Sequence, residues 1–140
     1  MAMGDIAEIT THILTANAAD LVNKGPLAEQ LAGLEMLRYR SPNIRHKLFW
    51  WSRDAKNSQA EIDYLTNKGQ CILPIEVKAG TQGGMKSLWI FMREKKLAEA
   101  VRCSLENFGK FDYTDKEGGD DVRHVHLCPL YAISMLQQII

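Results

Sequence analysis

Cysteine is scarce in this sequence, and the few cysteines lack the pattern of a disulfide framework or a zinc ribbon. Cys71, Cys103 and Cys128 are odd in number, far apart and without a C-x-x-C pair. Apolar runs such as 48–51 and 88–92 are short, whereas a membrane-spanning helix needs about 20 apolar residues. The first twenty residues carry acids where a secretory signal carries positive charge. These absences predict a cytoplasmic protein with no membrane partner.

The sequence also lacks an excess of charge of either sign, since 17 Lys and Arg residues balance 17 Asp and Glu residues. This balance excludes a strongly basic protein that coats nucleic acid and an acidic solvating tail. Basic residues nevertheless gather at 38–47 and 78–96, and acids at 112–121. Because counterion release scales with the number of phosphates neutralised, we expect only weak, metal-assisted nucleic-acid binding, or a partner protein that strengthens it.

The length of 140 residues fits one domain with a real hydrophobic core, because a chain of this size buries roughly two thirds of its unfolded surface. Residues 1–19 show only weak helical turns, and we interpret them as a lead-in or as the remnant of a preceding module. The predicted domain therefore covers residues 20–140.

The hydrophobic pattern predicts elements in the order α, β, β, β, α, β, β, α, and hence an α/β fold whose mixed central sheet is flanked by helices. Residues 53–59 are predicted to form a polar turn, and residues 110–121 an exposed loop or hairpin tip. The predicted elements are a helix over 26–40, strands over 46–52, 60–66 and 71–79, a helix over 85–96, strands over 100–105 and 122–127, and a helix from Pro129.

A cluster of charges lies on the second and third predicted strands. Glu76 and Lys78 are two residues apart and so share a strand face. If the hairpin turns symmetrically about Gly69 and Gln70, Asp63 lies directly opposite Glu76, although a slip of one residue would remove the pairing. Two facing carboxylates need a compensating cation, which is either Lys78 or a metal such as Mg²⁺.

These residues carry a resemblance to a known family. Asp63, the Glu76-x-Lys78 strand and a preceding helix with Glu29 resemble the PD-(D/E)xK nuclease superfamily, although Ile62 stands where the superfamily name has proline. More narrowly, the sequence resembles the C-terminal domain of unknown function 4143, which usually follows a AAA-type ATPase module. The blocks that carry this resemblance are NKGPLAEQLAGLEML, LFWWSRDAKNSQAEIDYL, LPIEVKAG and MKSL.

The resemblance implies a restriction-endonuclease-like core of a helix, three antiparallel strands, a helix and a fourth strand. It further implies hydrolysis of nucleic-acid phosphodiesters with Mg²⁺ or Mn²⁺, or else a non-catalytic docking domain for an ATPase or another protein. The implied site residues are Asp63 and Glu76 as metal ligands, Lys78 as the cation that positions water or steadies negative charge, Glu29 as a supporting acid, and Lys86 and Ser87 as phosphate-contacting groups.

The same residues have simpler interpretations without the resemblance. Glu76 and Lys78 could form a weak ion pair on a solvated strand face. Glu29 could be an acid that the helix dipole favours in a first turn. The family resemblance favours a real site geometry for Glu76 and Lys78, and it leaves both interpretations of Glu29 open.

Overall fold

A six-stranded mixed sheet with helices on its two faces makes up the computed structural model of the chain. The structure describes residues 25–38, 43, 45–55, 58–80 and 83–140. The predicted lead-in over 1–19 lies outside these described residues. The predicted α/β class, with a mixed central sheet flanked by helices, is confirmed.

The strand order across the sheet is β1-β2-β3-β4-β6-β5. The β3–β4 and β4–β6 pairs are parallel and the other three pairs are antiparallel. No helix among the described residues is long and apolar enough to cross a membrane. The elements are α1 (Gly25–Arg38), β1 (Phe49–Ala55), β2 (Ser58–Lys68), β3 (Cys71–Val77), α2 (Lys86–Lys95), β4 (Glu99–Ser104), β5 (Gly109–Asp115), β6 (Asp121–Pro129) and α3 (Leu136–Ile139), with 3-10 segments at Lys116–Gly118 and Leu130–Met135.

The two faces of the sheet bury separate apolar clusters. Helix α1 and the C-terminal segment cover one face, where Leu31 packs with Ile75 and Val101. Helix α2 covers the other face, where Phe91 and Leu88 pack with Ile62 and Val125 among others. The sheet is therefore a central layer between two helical layers, as buried strands without a solvated face require.

The β2–β3 hairpin has the register that the sequence predicts. Tyr64 pairs with Ile75, and the ladder continues to Lys68 and Cys71 at the turn. The predicted register is confirmed from the turn as far as Tyr64 and Ile75. At the next step the side chain of Asp63 accepts the Val77 N–H, and the direct pairing of Asp63 with Glu76 stays a prediction.

A bulge interrupts β2 at the point where Asp63 lies. Phe49 pairs with Leu65 and Trp51 pairs with Ile62, so one β1 residue faces two β2 residues, Asp63 and Tyr64. Ile62 and Leu65 consequently pack on the α2 side, while Tyr64 packs on the α1 side. Bulges of this kind redirect side chains and are frequent next to active sites.

Several predicted elements differ from the structure. Strand β1 begins at Phe49 instead of residue 46 and runs through most of the predicted turn, because polar side chains are tolerated on its exposed edge. The predicted loop or hairpin tip over 110–121 is a hairpin whose first half is strand β5, and the turn itself covers only 116–120. The residues of β5 are mostly exposed and gave no apolar alternation. Strand β6 continues to Pro129, and the predicted last helix is mainly a 3-10 segment.

Candidate functional site

Glu76 on β3 is a buried carboxylate whose two oxygens have different surroundings. The residue is only 5% exposed. Its Oε1 accepts a hydrogen bond of 2.5 Å from Nζ of Lys78. Its Oε2 is buried and has no hydrogen-bond partner among the described residues. A buried oxygen without a hydrogen-bond partner destabilises the folded state, so the presence of Glu76 at this position requires an explanation.

Asp63, from the β2 bulge, lies beside this carboxylate. Its Oδ2 accepts a hydrogen bond of 2.7 Å from the backbone N–H of Val77. This contact anchors the Asp63 side chain to β3, at the residue that follows Glu76 in the sequence. Partial burial raises the pKa of Asp63, although the Val77 N–H and the charge of Lys78 oppose the rise.

Glu29 reaches the same region because α1 is fixed over β2 by Tyr64. The Tyr64 hydroxyl donates a 2.7 Å hydrogen bond to the backbone oxygen of Glu29. Gly33 permits the close packing, since a Cβ at that position would lie 2.6 Å from the Tyr64 hydroxyl. Because α1 begins at Gly25, Glu29 lies in the second turn, and the interpretation as a first-turn acid is wrong.

The charges of these residues act on one another. Burial raises the pKa of Glu76 to about 6, and the negative charges of Asp63 and Glu29 add to the rise, while the Lys78 hydrogen bond opposes it. Burial likewise raises the pKa of Glu29, with further contributions from Asp63 and Glu61. Glu29, Asp63, Glu76 and Lys78 therefore form one electrostatic cluster, which we call the carboxylate site.

A glycine loop holds Lys78 in this cluster. Lys78 extends the parallel ladder past β3, since its N–H donates to the Cys103 carbonyl at 2.8 Å. Gly83, at a φ of +135°, packs against the Lys78 stem, and a Cβ there would lie 3.1 Å from its Cδ. Arg102 donates to the Gly83 carbonyl at 3.3 Å. Gly83 therefore limits the space that is open to the Lys78 stem.

The two predicted phosphate-contacting residues lie at the start of α2 but line different clefts. Lys86 is exposed and borders a cleft of about 610 Å³. Ser87 borders a smaller neighbouring cleft of about 340 Å³ together with Glu61. Since Glu61 raises the pKa values of Glu29 and Asp63, the smaller cleft lies close to the carboxylate site.

Comparison with known families identifies the chain. The profile of a family described as "Domain of unknown function (DUF4143)" matches residues 24–131. The chain belongs to the DUF4143 family. A comparison with curated proteins gives no match. The matched range of this DUF4143 chain includes all the residues of the carboxylate site as well as Lys86 and Ser87.

The donor chemistry of the DUF4143 site fits a hard divalent cation. Within the described ranges, no group of three or more His, Cys, Asp or Glu residues is arranged to hold a metal ion. Mg²⁺, however, commonly uses only one or two carboxylates and completes its coordination with water and phosphate oxygens. The unpartnered Oε2 of Glu76 and the neighbouring Asp63 supply two such carboxylates. Asp63 and Glu76 are therefore donors of the type that such a cation uses.

Sequence reasoning assigned no role to three residues that shape the site. Glu61 contributes charge, Tyr64 positions α1, and Gly33 allows that contact. Glu61 had a detectable signal, because it lies two residues from Asp63 on a strand. The Tyr64–Gly33 contact joins residues 31 positions apart and has no local signal.

Proposed function

We propose that this DUF4143 domain is a metal-dependent nuclease of the PD-(D/E)xK type that hydrolyses nucleic-acid phosphodiesters. The observation that carries the proposal is the buried Glu76 carboxylate, with one oxygen on Lys78 and the other without a partner. A purely structural ion pair would be expected to satisfy both oxygens. The second carboxylate, Asp63, makes the arrangement suitable for a cation.

The order of elements supports the restriction-endonuclease-like core that the proposal requires. Helix α1 is followed by the antiparallel strands β1, β2 and β3, then by α2, and then by β4 parallel to β3. This is the helix, three-strand, helix, strand order of the superfamily. The metal ligands come from β2 and β3, at the middle of that unit.

In the proposed mechanism, Asp63 and Glu76 hold Mg²⁺ or Mn²⁺. An ion held by these two carboxylates would supply activation of a water molecule and neutralisation of charge on the phosphate. The Lys78 side chain is 26% exposed, so its ammonium group can face both Glu76 and an incoming phosphate. There it stabilises the negative charge that develops as water attacks phosphorus.

Glu29 has a supporting role in this mechanism. Its raised pKa favours a proton on the carboxyl group more than an exposed Glu would allow. The α1 backbone, fixed by Tyr64, holds that carboxyl group near Asp63. Lys86 and Ser87 at the start of α2 are proposed to contact phosphates that flank the scissile one.

The test is cleavage of labelled DNA and RNA with Mg²⁺ or Mn²⁺ by the parent protein and by Glu76→Gln and Lys78→Met. We expect cleavage by the parent and at least a hundredfold lower rate in both variants, a size typical for the loss of one electrostatic or acid–base group. Asp112→Asn is the matched control, because Asp112 is an exposed acid of β5 that belongs neither to the carboxylate site nor to the lining of the two clefts beside it. Equal rates in all four proteins would reject the site.

A docking domain for a AAA-type ATPase module or another protein is the second candidate, and one observation favours it. Phe49, Trp50 and Ile72 are exposed by 60%, 62% and 47%. Phe49 and Ile72 also border an apolar groove of about 340 Å³. Exposed apolar patches of this kind mark interaction surfaces. Calorimetry distinguishes the two functions, since a docking domain binds no Mg²⁺ at millimolar concentration, whereas the nuclease does.

A further inference from the structure

The larger cleft, beside α2, contains two stacked aromatic rings. Trp89 on α2 and Tyr113 on β5 stack with ring centroids 4.0 Å apart and planes 10° apart. Both rings are half-buried and border the cleft of about 610 Å³. This volume lies in the range of ligand sites, about 300–1,000 Å³. We call it the aromatic cleft and define it by Arg53, Lys86, Trp89, Arg93 and Tyr113.

Three cations border the aromatic cleft, and their partners differ. Arg53 pairs with Glu94. Arg93 binds Asp115 and the exposed Glu117. Lys86 is exposed and has no ion-pair partner in the part of the chain that the structure describes. Glu94 and Glu117 also border the cleft, so the cleft combines aromatic rings with two arginines that acids already neutralise and with one ammonium group that is available to an anion.

The aromatic cleft connects to the carboxylate site through the smaller cleft. Arg53 borders both clefts. The smaller cleft also contains Ser87 and Glu61, and the charge of Glu61 reaches Asp63. A chain-like ligand can thus extend from the aromatic rings, past Arg53 and Ser87, to the carboxylates.

We infer that the aromatic cleft binds a single-stranded segment of nucleic acid. Bases in a duplex already stack on their neighbours, so aromatic side chains bind bases that are unstacked. Lys86 supplies a contact to a backbone phosphate, while Arg53 and Arg93 stay paired with their acids. The statement that the bound strand leads to the cleavage site rests on the proposed function. The statement that the aromatic cleft binds a single strand does not.

Binding is measured without metal, by fluorescence anisotropy of a labelled oligothymidine and of a duplex of equal length, in buffer with EDTA. We expect the single strand to bind more tightly than the duplex. Tyr113→Leu should weaken single-strand binding about tenfold, which is within the range for one stacked base. Lys86→Ala should weaken single-strand binding severalfold. It should also reduce the slope of log affinity against log salt concentration by about 1, as expected for the loss of one phosphate contact.

Matched controls come from the same fold. Lys95→Ala removes another exposed cation of α2, and Tyr131→Leu removes a ring of the exposed Phe108–Tyr131 pair. Neither residue borders the aromatic cleft, so both variants should bind like the parent. If Tyr113→Leu does not fold, Lys86→Ala and its salt dependence decide the question.

The inference is overturned if duplex binds at least as well as single strand, or if the variants at 86 and 113 bind like their controls. A protein that binds a single strand but never cleaves it would contradict the proposed nuclease and support this inference. A protein that cleaves only duplex would support the proposed nuclease and contradict this inference.

Discussion

Two buried carboxylates in this fold, Asp115 and Glu76, differ in the number of hydrogen bonds that they accept. Asp115 is fully buried and accepts two hydrogen bonds from Arg93, at 2.7 and 3.0 Å, and a third from the Gly118 N–H at 3.1 Å. Arg123 adds an ion pair at 3.7 Å. Glu76 has one lysine on one oxygen and no described partner on the other.

The pKa directions follow from these surroundings. The Arg93 hydrogen bonds, opposed by burial, hold the pKa of Asp115 below its ordinary value of 3.8. Burial and neighbouring acids raise the pKa of Glu76 to about 6 in spite of Lys78. The first carboxylate stabilises the fold at neutral pH, whereas the second destabilises it. Under the proposed function, the contrast is one between a structural acid and an acid retained for a ligand.

The largest expected effect is that of Asp115→Asn. The substitution leaves Arg93 and the buried Arg123 without their shared negative partner, and breaking a buried pair in this way costs about 3–5 kcal/mol. We expect a loss near the lower figure, because Arg123 keeps its bond to the Leu97 carbonyl. Urea unfolding at pH 7 measures the change in the free energy of unfolding.

Glu117→Gln is the control for that measurement. Glu117 forms a hydrogen bond with the same arginine, but its side chain is 82% exposed, so its loss should cost under about 1 kcal/mol.

The dependence of stability on acidic pH gives a second check. Because the folded pKa of Asp115 is lowered, its contribution to stability is present above pH 3.8 and is lost as pH falls further. Asp115→Asn should lack that acid-dependent part, and equal acid profiles would contradict the structural role.

The next effect, that of Glu76→Gln, has the opposite sign. A carboxyl group whose pKa rises from 4.5 to about 6 on folding destabilises the fold increasingly as pH rises through that interval. An uncharged isostere removes this cost, and at 1.36 kcal/mol for each pKa unit the gain is about 2 kcal/mol at pH 8. Urea unfolding at pH 4, 6 and 8 in EDTA should show the gain only at the higher pH values.

Added Mg²⁺ should reverse the comparison. It should stabilise the parent by binding the folded state and leave Glu76→Gln unchanged. A variant that is less stable than the parent at pH 8 in EDTA would show that the carboxylate is structural. Asp115 and Glu76 would then differ only in their partners.

Asp63, Glu76 and Lys78 could be brought together from the sequence because they belong to one hairpin, whereas Glu29 joins them through a contact between α1 and Tyr64 that is distant in sequence. The hairpin turn at Gly69 fixes the register, which holds as far as Tyr64 and Ile75. The spacing of two residues likewise puts Glu76 and Lys78 on one face, and their 2.5 Å contact agrees with it. The bulge at Asp63 was not predicted, since neither Asp63 nor Tyr64 carries a sequence signal for one.

The Asp115 cluster could not be predicted, because its partners are distant in sequence. Arg93 lies 22 residues before Asp115, and the acids around Asp115 indicated a solvated loop. The same acids hid β5, whose side chains are mostly exposed. Exposed edge strands need no apolar alternation, so periodicity does not reveal them.

The smallest expected effect, that of Gly83→Ala, tests how Glu76 keeps its one cation. Alanine is strained at a φ of +135°, and its Cβ would lie 3.1 Å from Cδ of Lys78, so we expect a loss of about 1 kcal/mol. Displacing Lys78 removes the hydrogen bond that lowers the pKa of Glu76, which should therefore rise above about 6. An NMR titration of the Glu76 carboxyl measures this pKa, with Gly84→Ala as the control, since a Cβ at Gly84 meets nothing within 4 Å.

An unchanged pKa of Glu76 in Gly83→Ala would mean that Lys78 holds its position without the loop. An upward shift would show that the Glu76 pair depends on one flexible stem and a glycine, whereas Asp115 is held by a bidentate arginine.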